Sequence, residues 1–180
     1  MRNRYIYTFD FKWDTNQLLS FYKEQKALGL TRIEKGKFEV ADVVALHQQS
    51  TVLPLFGVMQ MPHITNNCML GEITERIGLH CNPGNNGLVI LPLEGSIDLN
   101  FYSMEPPIRN GLTSFLPGDT TDEVEKTLNY AVRGIDTPFA FNGRWIHDYW
   151  PSNGSAIFYA LKIPLTCGWD LTQDCLYHAQ

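Results

Sequence analysis

The chain has 180 residues, of which 44% are hydrophobic and 18% charged, a balance that suits one folded domain and excludes a charge-rich disordered chain. Its 14 basic and 19 acidic side chains give a net charge of -5, so it lacks the basic surface that nucleic-acid phosphates require. No apolar run is long enough to span a membrane or to form a signal-peptide core, and the four cysteines are irregularly spaced. We therefore expect a reduced, cytoplasmic protein that binds neither nucleic acid nor a membrane.

Residues 1–50 are predicted to form a partly helical support for the remainder of the chain. Asp14 begins a segment with the spacing of a capping box, and apolar residues then recur at helical intervals. Gly29 follows as a typical C-terminal stop, so the pattern predicts a helix over residues 15–28. A second group of apolar residues at helical spacing predicts another helix over residues 40–49.

The rest of the chain is predicted to be β-structure, because short apolar or alternating runs are separated by Pro, Gly and Asn clusters. The predicted strands cover residues 52–61, 69–79, 88–93, 97–103, 112–116, 128–135, 139–141, 144–150 and 157–163. Between two of them, Asn142 and Gly143 predict a type I′ hairpin turn. The whole pattern predicts a single domain over residues 1–180 that is mainly β with N-terminal helices, a double-stranded β-helix (jelly roll, cupin-like). A generic sandwich is the alternative.

A row of polar side chains leads along the predicted strand 69–79 to His80. Alternation places Glu72, Thr74 and Arg76 on the same face as His80, with apolar side chains on the opposite face. Such a row is ordinary on a solvent-exposed strand, but inside the mouth of a jelly roll it would line a polar pocket. The guanidinium of Arg76 would then suit a carboxylate ligand.

His147 lies in a second predicted strand, where alternation places Trp145 and Tyr149 beside it on one face and Asp148 on the other. An imidazole between two aromatic rings can bind a metal, stack on a ligand or fill core space with its N–H satisfied. Two histidines in comparable strand positions favour a metal site more than either histidine alone.

Several short motifs of residues 77–164 are similar to motifs of one enzyme family. Leu79-His80-Cys81-Asn82 stands where that family has His-X-Asp, and residues 89–95 followed by Phe101-Tyr102 are similar to its second-strand pattern. Residues 137–142 are similar to its approach to the distal histidine. In these motifs the segment resembles the 2-oxoglutarate- and Fe(II)-dependent dioxygenases, especially the prolyl-hydroxylase-like and aspartyl/asparaginyl-hydroxylase-like members.

The resemblance implies a metal site in which His80, His147 and Asn82 hold Fe(II). It further implies 2-oxoglutarate as a co-substrate and hydroxylation of a C–H bond in a small-molecule or peptide substrate. The iron would supply that chemistry, and the protein would supply orientation and a dry pocket.

Some positions depart from the family's pattern. Asn82 replaces the carboxylate, so a weaker neutral ligand or water completes the metal face. The basic residue that the family places soon after the distal histidine is missing, which leaves Arg76 or Lys162 to bind 2-oxoglutarate. The cupin arrangement of two histidines and a downstream glutamate is incomplete unless Glu94 serves.

These departures support an alternative, a non-catalytic jelly-roll binding or assembly protein that has lost the metal site, for example a virion-type structural module. A zinc site of Cys167, Cys175 and His178 is less favoured, since their spacing matches no common zinc module. The polar stretch 117–126 is predicted to be an exposed loop. The oligomeric state, the substrate and the role of this loop are not indicated by the sequence.

Overall fold

The structure, a computed structural model, describes residues 6–8, 15–34, 37–43, 68–80, 82, 86–102, 128–143 and 145–164. Within these ranges it contains one α-helix, α1 (Asn16–Ala27), and eleven β-strands. The strands are β1 (Tyr7–Thr8), β2 (Arg32–Glu34), β3 (Phe38–Ala41), β4 (Cys68–Ile73), β5 (Ile77–His80), β6 (Asn86–Glu94), β7 (Ile97–Tyr102), β8 (Leu128–Ile135), β9 (Phe139–Asn142), β10 (His147–Pro151) and β11 (Ala156–Pro164).

The strands form two antiparallel sheets with the connectivity of a jelly roll. The larger sheet has the order β1-β9-β6-β11-β4-β3-β2, and the smaller sheet has the order β5-β10-β7-β8. When β4 is counted as the first of eight strands, the two sheets contain the orders 6-3-8-1 and 2-7-4-5. Successive strands therefore pass from one sheet to the other except at β7 and β8, as in a double-stranded β-helix. The predicted mainly β, jelly-roll fold is confirmed.

The main hydrophobic core lies between the two sheets, where β-branched and aromatic side chains alternate inward along each strand. Fully burying one such side chain contributes roughly 1.5–3 kcal/mol to folding. A second apolar layer joins α1 to the outer face of the larger sheet, with Leu18 and Tyr22 of the helix packed against strand residues such as Leu70 and Val89. The helix thus covers the outer face of the larger sheet and does not enter the space between the two sheets.

The predicted first helix is confirmed, since α1 spans Asn16–Ala27 and stops before Gly29, which adopts the positive φ of 68°. The N-cap is Thr15, which makes no side-chain capping hydrogen bond. The predicted second helix over residues 40–49 is wrong at its start, because residues 40 and 41 belong to β3 and pair with β4. Cross-strand pairing overrides the helical spacing of these apolar residues.

The predicted single strand over residues 69–79 is also wrong. It consists of β4 in the larger sheet and β5 in the smaller sheet, with a break at residues 74–76. The predicted hairpin at Asn142 and Gly143 is wrong as well, since β9 pairs with β1 and β6 whereas β10 pairs with β5 and β7. The chain turns at this point to change sheets, and the backbone N–H of Trp145 donates to the carbonyl of Asn142 at 3.2 Å.

Several predictions fall outside the described residues: the strands over 52–61 and 112–116, the loop over 117–126, and the group Cys167, Cys175 and His178. In the part of the chain that the structure describes, no helix is both long and apolar enough to cross a membrane.

Candidate functional site

The first candidate histidine is turned inward by an irregularity in β5. His147 is the cross-strand partner of His80, but Tyr149 is the partner of Ile77, so β5 contains one more residue than β10 between the two pairs. Such a β-bulge reverses the alternation of side chains and is common near functional sites. His80 therefore lies on the same face as the core residue Ile77, whereas regular alternation had predicted opposite faces.

The two candidate histidines lie side by side on the inner face of the smaller sheet. The ring centroids of His80 and His147 are 4.3 Å apart. Aromatic rings surround the pair: Phe141 meets His147 edge-on at 4.9 Å, and Tyr149 lies parallel to His147 at 6.3 Å. Phe101 is the cross-strand partner of His147 on β7, with its ring centroid 6.2 Å away. Two residues separated by 66 others in sequence thus form one apolar-walled imidazole pair.

Each imidazole is oriented by a hydrogen bond from Nδ1 to a nearby backbone carbonyl. In His80 the partner is the carbonyl of Gly78 at 2.8 Å, and in His147 it is the carbonyl of Trp145 at 2.7 Å. A carbonyl only accepts, so Nδ1 carries the proton and the lone pair lies on Nε2. This is the arrangement that metal-binding histidines usually adopt.

His147 carries a buried nitrogen without a partner. The side chain is fully buried, and its Nε2 has no hydrogen-bond partner among the residues that the structure describes. Burial, and secondarily the neighbouring His80, lowers the pKa of the His147 imidazole well below its usual value. The ring is therefore neutral near pH 7, with an unshared lone pair directed into the protein. A buried acceptor of this kind is costly unless a ligand occupies it.

Asn82 follows His80 by two residues, just beyond the end of β5. Its backbone N–H donates to the carbonyl of Gly143 at 2.7 Å, which ties the end of β5 to the turn before β10. The side-chain Nδ2 is buried and has no partner within the described ranges. Rotation of the amide group exchanges Nδ2 and Oδ1, so the buried side chain of Asn82 can present either a donor or an acceptor.

No carboxylate joins the two histidines within the described part of the chain, where no three His, Cys, Asp or Glu side chains cluster at metal-binding distance. The acid nearest in sequence, Asp148, follows His147 directly and leaves β10 on the other face of the sheet. There its Oδ2 accepts a hydrogen bond from Arg76 Nε at 2.8 Å. The donor set that the structure shows at the pair therefore consists of the two imidazoles.

The sequence predicts that Arg76 shares a face with His80, but the structure shows that it does not. The strand break at residues 74–76 ends the alternation on which that prediction rested. The guanidinium ion-pairs with the buried Asp148 and lies 5.2 Å from the ring centroid of Trp150, on the outer face of the smaller sheet. In this position Arg76 cannot reach a ligand on the inner face.

Lys162 lies closer to the histidine pair than its place in the sequence indicates. In β11 it is the partner of Leu88, and Leu88 is in turn the partner of Phe141, whose ring contacts His147. Lys162 and Phe141 are therefore two strand spacings apart, so their backbones are separated by about 10 Å. By alternation Lys162 follows Ala160 on the inner face, and its side chain is exposed. Lys162 is thus a cation at the same end of the barrel as the pair.

Glu94, the residue that a cupin arrangement would require, is not at the pair. It lies at the far end of β6, where its cross-strand partner is Ile157, and its carboxylate ion-pairs with Lys23 of α1. Both side chains are more than half exposed, on the helix side of the larger sheet.

A polar network on the outer face of the smaller sheet had not been predicted. Tyr102 donates to Asp148 Oδ1 at 3.3 Å, and Asn100 Nδ2 donates to the Tyr102 hydroxyl at 3.3 Å. Arg133 donates to Asn100 Oδ1 at 2.9 Å. In the sequence, the only indication of this network is the alternation that places Asp148 on the other face of the strand from His147. The network braces the strand that holds His147 from the side away from the pair.

No protein-family model and no curated protein sequence matches this chain. Among solved structures, AviO1 from Streptomyces viridochromogenes Tue57 matches with a TM-score of 0.48 and 12% identity, over 89% of this chain and 90% of that chain. HygX from Streptomyces hygroscopicus, solved with nickel, 2-oxoglutarate and hygromycin B, matches with a TM-score of 0.47 and 13% identity, over 87% and 81%.

Procruciferin, the 11S globulin of Brassica napus, matches with a TM-score of 0.40 and 6% identity over 74% of this chain. That match covers 27% of procruciferin, and this chain spans half or less of the length of several structures that it matches. At such identities the likeness concerns the fold alone.

Proposed function

We propose that this chain is a jelly-roll metalloenzyme of the 2-oxoglutarate- and Fe(II)-dependent oxygenase type, in which His80 and His147 bind the metal. The observation that carries the proposal is the adjacent imidazole pair, with ring centroids 4.3 Å apart inside the barrel. The strand positions support the proposal, since His80 ends β5, His147 begins β10, and the two residues are cross-strand partners.

The residues at the pair fit a divalent first-row metal. Imidazole is a suitable ligand for iron, nickel, copper and zinc, and it binds as the neutral ring. His147 meets this requirement, because its lowered pKa keeps the ring neutral and its buried Nε2 lacks a partner among the described residues. The backbone carbonyls that hold Nδ1 fix the ring orientation before any ligand binds.

The chain's own residues would orient the reactants and exclude water. Phe101, Phe141 and Tyr149 give the pair an apolar wall, which strengthens electrostatic interactions inside it. Lys162, on the same end of the inner face, would bind a carboxylate of 2-oxoglutarate as a point charge. When bound, Fe(II) with 2-oxoglutarate supplies the oxidation of a substrate C–H bond.

Because position 82 is an asparagine, metal binding at this site is expected to be weak. Two imidazoles and an amide carry no negative charge, so a divalent cation keeps its full charge in an apolar surrounding. Affinity for the metal should therefore be lower than with a carboxylate at position 82, and a bound acid such as 2-oxoglutarate should raise it. Metal and acid are expected to bind cooperatively.

The second candidate function is a binding or assembly protein without catalysis. It is favoured by the lack of a carboxylate at the pair within the described ranges, and by the engagement of Arg76 with Asp148 away from it. In that case the histidine pair is part of the barrel packing, and Lys162 is an exposed surface cation.

Anaerobic titration of the metal-free protein with Co(II), followed by its visible absorption, tests the proposal, with Fe(II) plus 2-oxoglutarate as the second stage. We expect one Co(II) per chain, and loss of its absorption in His80→Ala and His147→Ala. Glu94→Gln is the matched control, since it removes an exposed carboxylate far from the pair, and its binding should be unchanged. Absence of saturable metal binding in the folded protein would overturn the proposal and favour the binding protein.

A further inference from the structure

The strand β2 ends the larger sheet among the described strands, and it is bordered by exposed apolar side chains. Ile33 is 64% exposed, and Leu28 and Leu30, which connect α1 to β2, are 62% and 60% exposed. We call these three residues the β2 patch. Together they expose on the order of 300 Å² of apolar surface, the size at which patches on monomers are often functional.

The two faces of β2 differ in character. Arg32 and Glu34 are the partners of Val40 and Phe38, so they share the face that is directed toward the smaller sheet. Ile33 is the partner of Glu39, which ion-pairs with Lys26 of α1. Ile33 therefore lies on the helix side. The chain segment that leads out of α1 brings Leu28 and Leu30 to the end of the same strand.

The charges on β2 are self-complementary about Ile33. In an antiparallel pair of two identical strands centred on this residue, Arg32 of one copy stands opposite Glu34 of the other, and the reverse pair forms across the two-fold axis. The two Ile33 side chains meet at the centre on the helix side. Within one copy Arg32 and Glu34 form an exposed ion pair at 3.1 Å, so both side chains are already aligned on one face.

We propose that β2 is the interface of a two-fold dimer of this chain, in which the larger sheets of two copies join edge to edge. An edge strand presents unpaired backbone groups that favour such pairing, and opposite charges placed directly across it fix the register. In this register the two Ile33 side chains cover each other, and Leu28 and Leu30 of each copy lie at one end of the new strand pair. The occupant is a second copy because this strand is complementary in charge to itself.

Sedimentation equilibrium of the full chain between about 1 and 500 µM tests the dimer. Arg32→Glu and Glu34→Arg each place like charges across the interface twice, so each should raise the dissociation constant on the order of tenfold or more. The double variant Arg32→Glu/Glu34→Arg restores opposite charges in the reversed sense, and dimerisation should return.

Ile33→Asp provides a second route to the same result, and Leu128→Asp is the matched control. Leu128 is 49% exposed in β8 of the other sheet, and its replacement should leave the dimer intact. Thermal unfolding at 1 µM checks that each variant is folded. If the chain is monomeric over the whole concentration range, the proposal is wrong, even if a different protein binds this edge. A dimer that is indifferent to both single charge changes also overturns it.

Discussion

Arg76 and Asp148 join the break between β4 and β5 to the strand that carries His147. The Nε of Arg76 donates to Oδ2 of Asp148 at 2.8 Å, and Asp148 is fully buried whereas the Arg76 side chain is half exposed. The two members of this ion pair therefore depend on each other to different degrees. Water can solvate Arg76 if its partner is lost, but it cannot reach Asp148.

The first prediction follows from this asymmetry. Arg76→Met leaves a buried carboxylate without its cation and should cost about 2–3 kcal/mol, somewhat less than a fully buried pair would. Asp148→Asn keeps the shape and leaves a solvated arginine, so it should cost about 1 kcal/mol. Urea unfolding of both variants at pH 7 measures the difference. Equal or reversed costs would contradict the view that burial of Asp148 dominates.

The second prediction concerns acid stability of the metal-free protein. The pKa of His147 is lower in the folded state than its ordinary value of about 6.5 in the unfolded chain. Below that value the unfolded state binds a proton that the folded state does not, so stability falls as the pH falls. The contribution of the neutral His147 to the free energy of unfolding is fully present above about pH 6.5. It declines by up to about 1.4 kcal/mol per pH unit below that value.

Urea unfolding in the presence of a chelator at pH 7.5, 6.0 and 5.0 measures this dependence, with His147→Gln as the comparison. The variant lacks the titrating group, and its stability should change less over this interval. If the wild-type protein and the variant show the same slope, His147 is not buried as a neutral ring.

The third prediction uses two glycines of strands that are consecutive in sequence, Gly71 of β4 and Gly78 of β5. A Cβ at Gly71 would lie 2.9 Å from the carbonyl oxygen of Glu39 and 2.9 Å from Val40 Cγ1, so β3 and β4 would have to separate. Gly71→Ala should therefore cost about 1–3 kcal/mol. At Gly78 nothing lies within 4 Å of a Cβ, and Gly78→Ala should be close to neutral. Thermal unfolding distinguishes the two, and a neutral Gly71→Ala would mean that β3 does not approach β4 as described.

The fourth prediction tests the role of Lys162 in the proposed function. Lys162→Met should weaken 2-oxoglutarate binding to the metal-loaded protein by about tenfold or more, because a charged partner of a carboxylate is lost. Lys162→Arg should retain most of the affinity. Lys23→Met removes a cation on the helix side of the larger sheet and serves as the control. Isothermal titration measures all three, and equal affinities for Lys162→Met and the control would exclude Lys162 as the anchor.

Much of the fold was predictable from the sequence, because its strands carry strong local signals. Residues 128–135 coincide with β8, and α1 differs from its prediction by one residue at each end. The errors occur where the chain changes sheets. Residues 74–76 interrupt the predicted strand, and the turn at Asn142 and Gly143 leads into the other sheet and not into a hairpin. Which sheet the next strand enters is decided by pairing partners that are remote in sequence.

The histidine pair of the candidate site was predictable from the sequence, but its geometry was not, and the predicted Arg76 lies away from it. His80 and His147 were found from their strand context, and the structure brings them together. The face on which Arg76 lies could not be deduced, since alternation holds only within an uninterrupted strand. The approach of Lys162 also depended on register, which places Leu88 between it and Phe141.

The bulge in β5 also determines where the barrel can tolerate the deletion of one residue. Between the partners of His147 and Tyr149, β5 is one residue longer than regular pairing needs, and Gly78 is the member with open space around it. Loss of that single residue would leave Ile77 and His80 facing inward and Leu79 facing outward, as they do now. Loss of a residue from the regularly paired part of β10 would instead exchange its two faces and move His147 out of the barrel. Among homologues, a one-residue gap should therefore be tolerated at Gly78 and absent from β10.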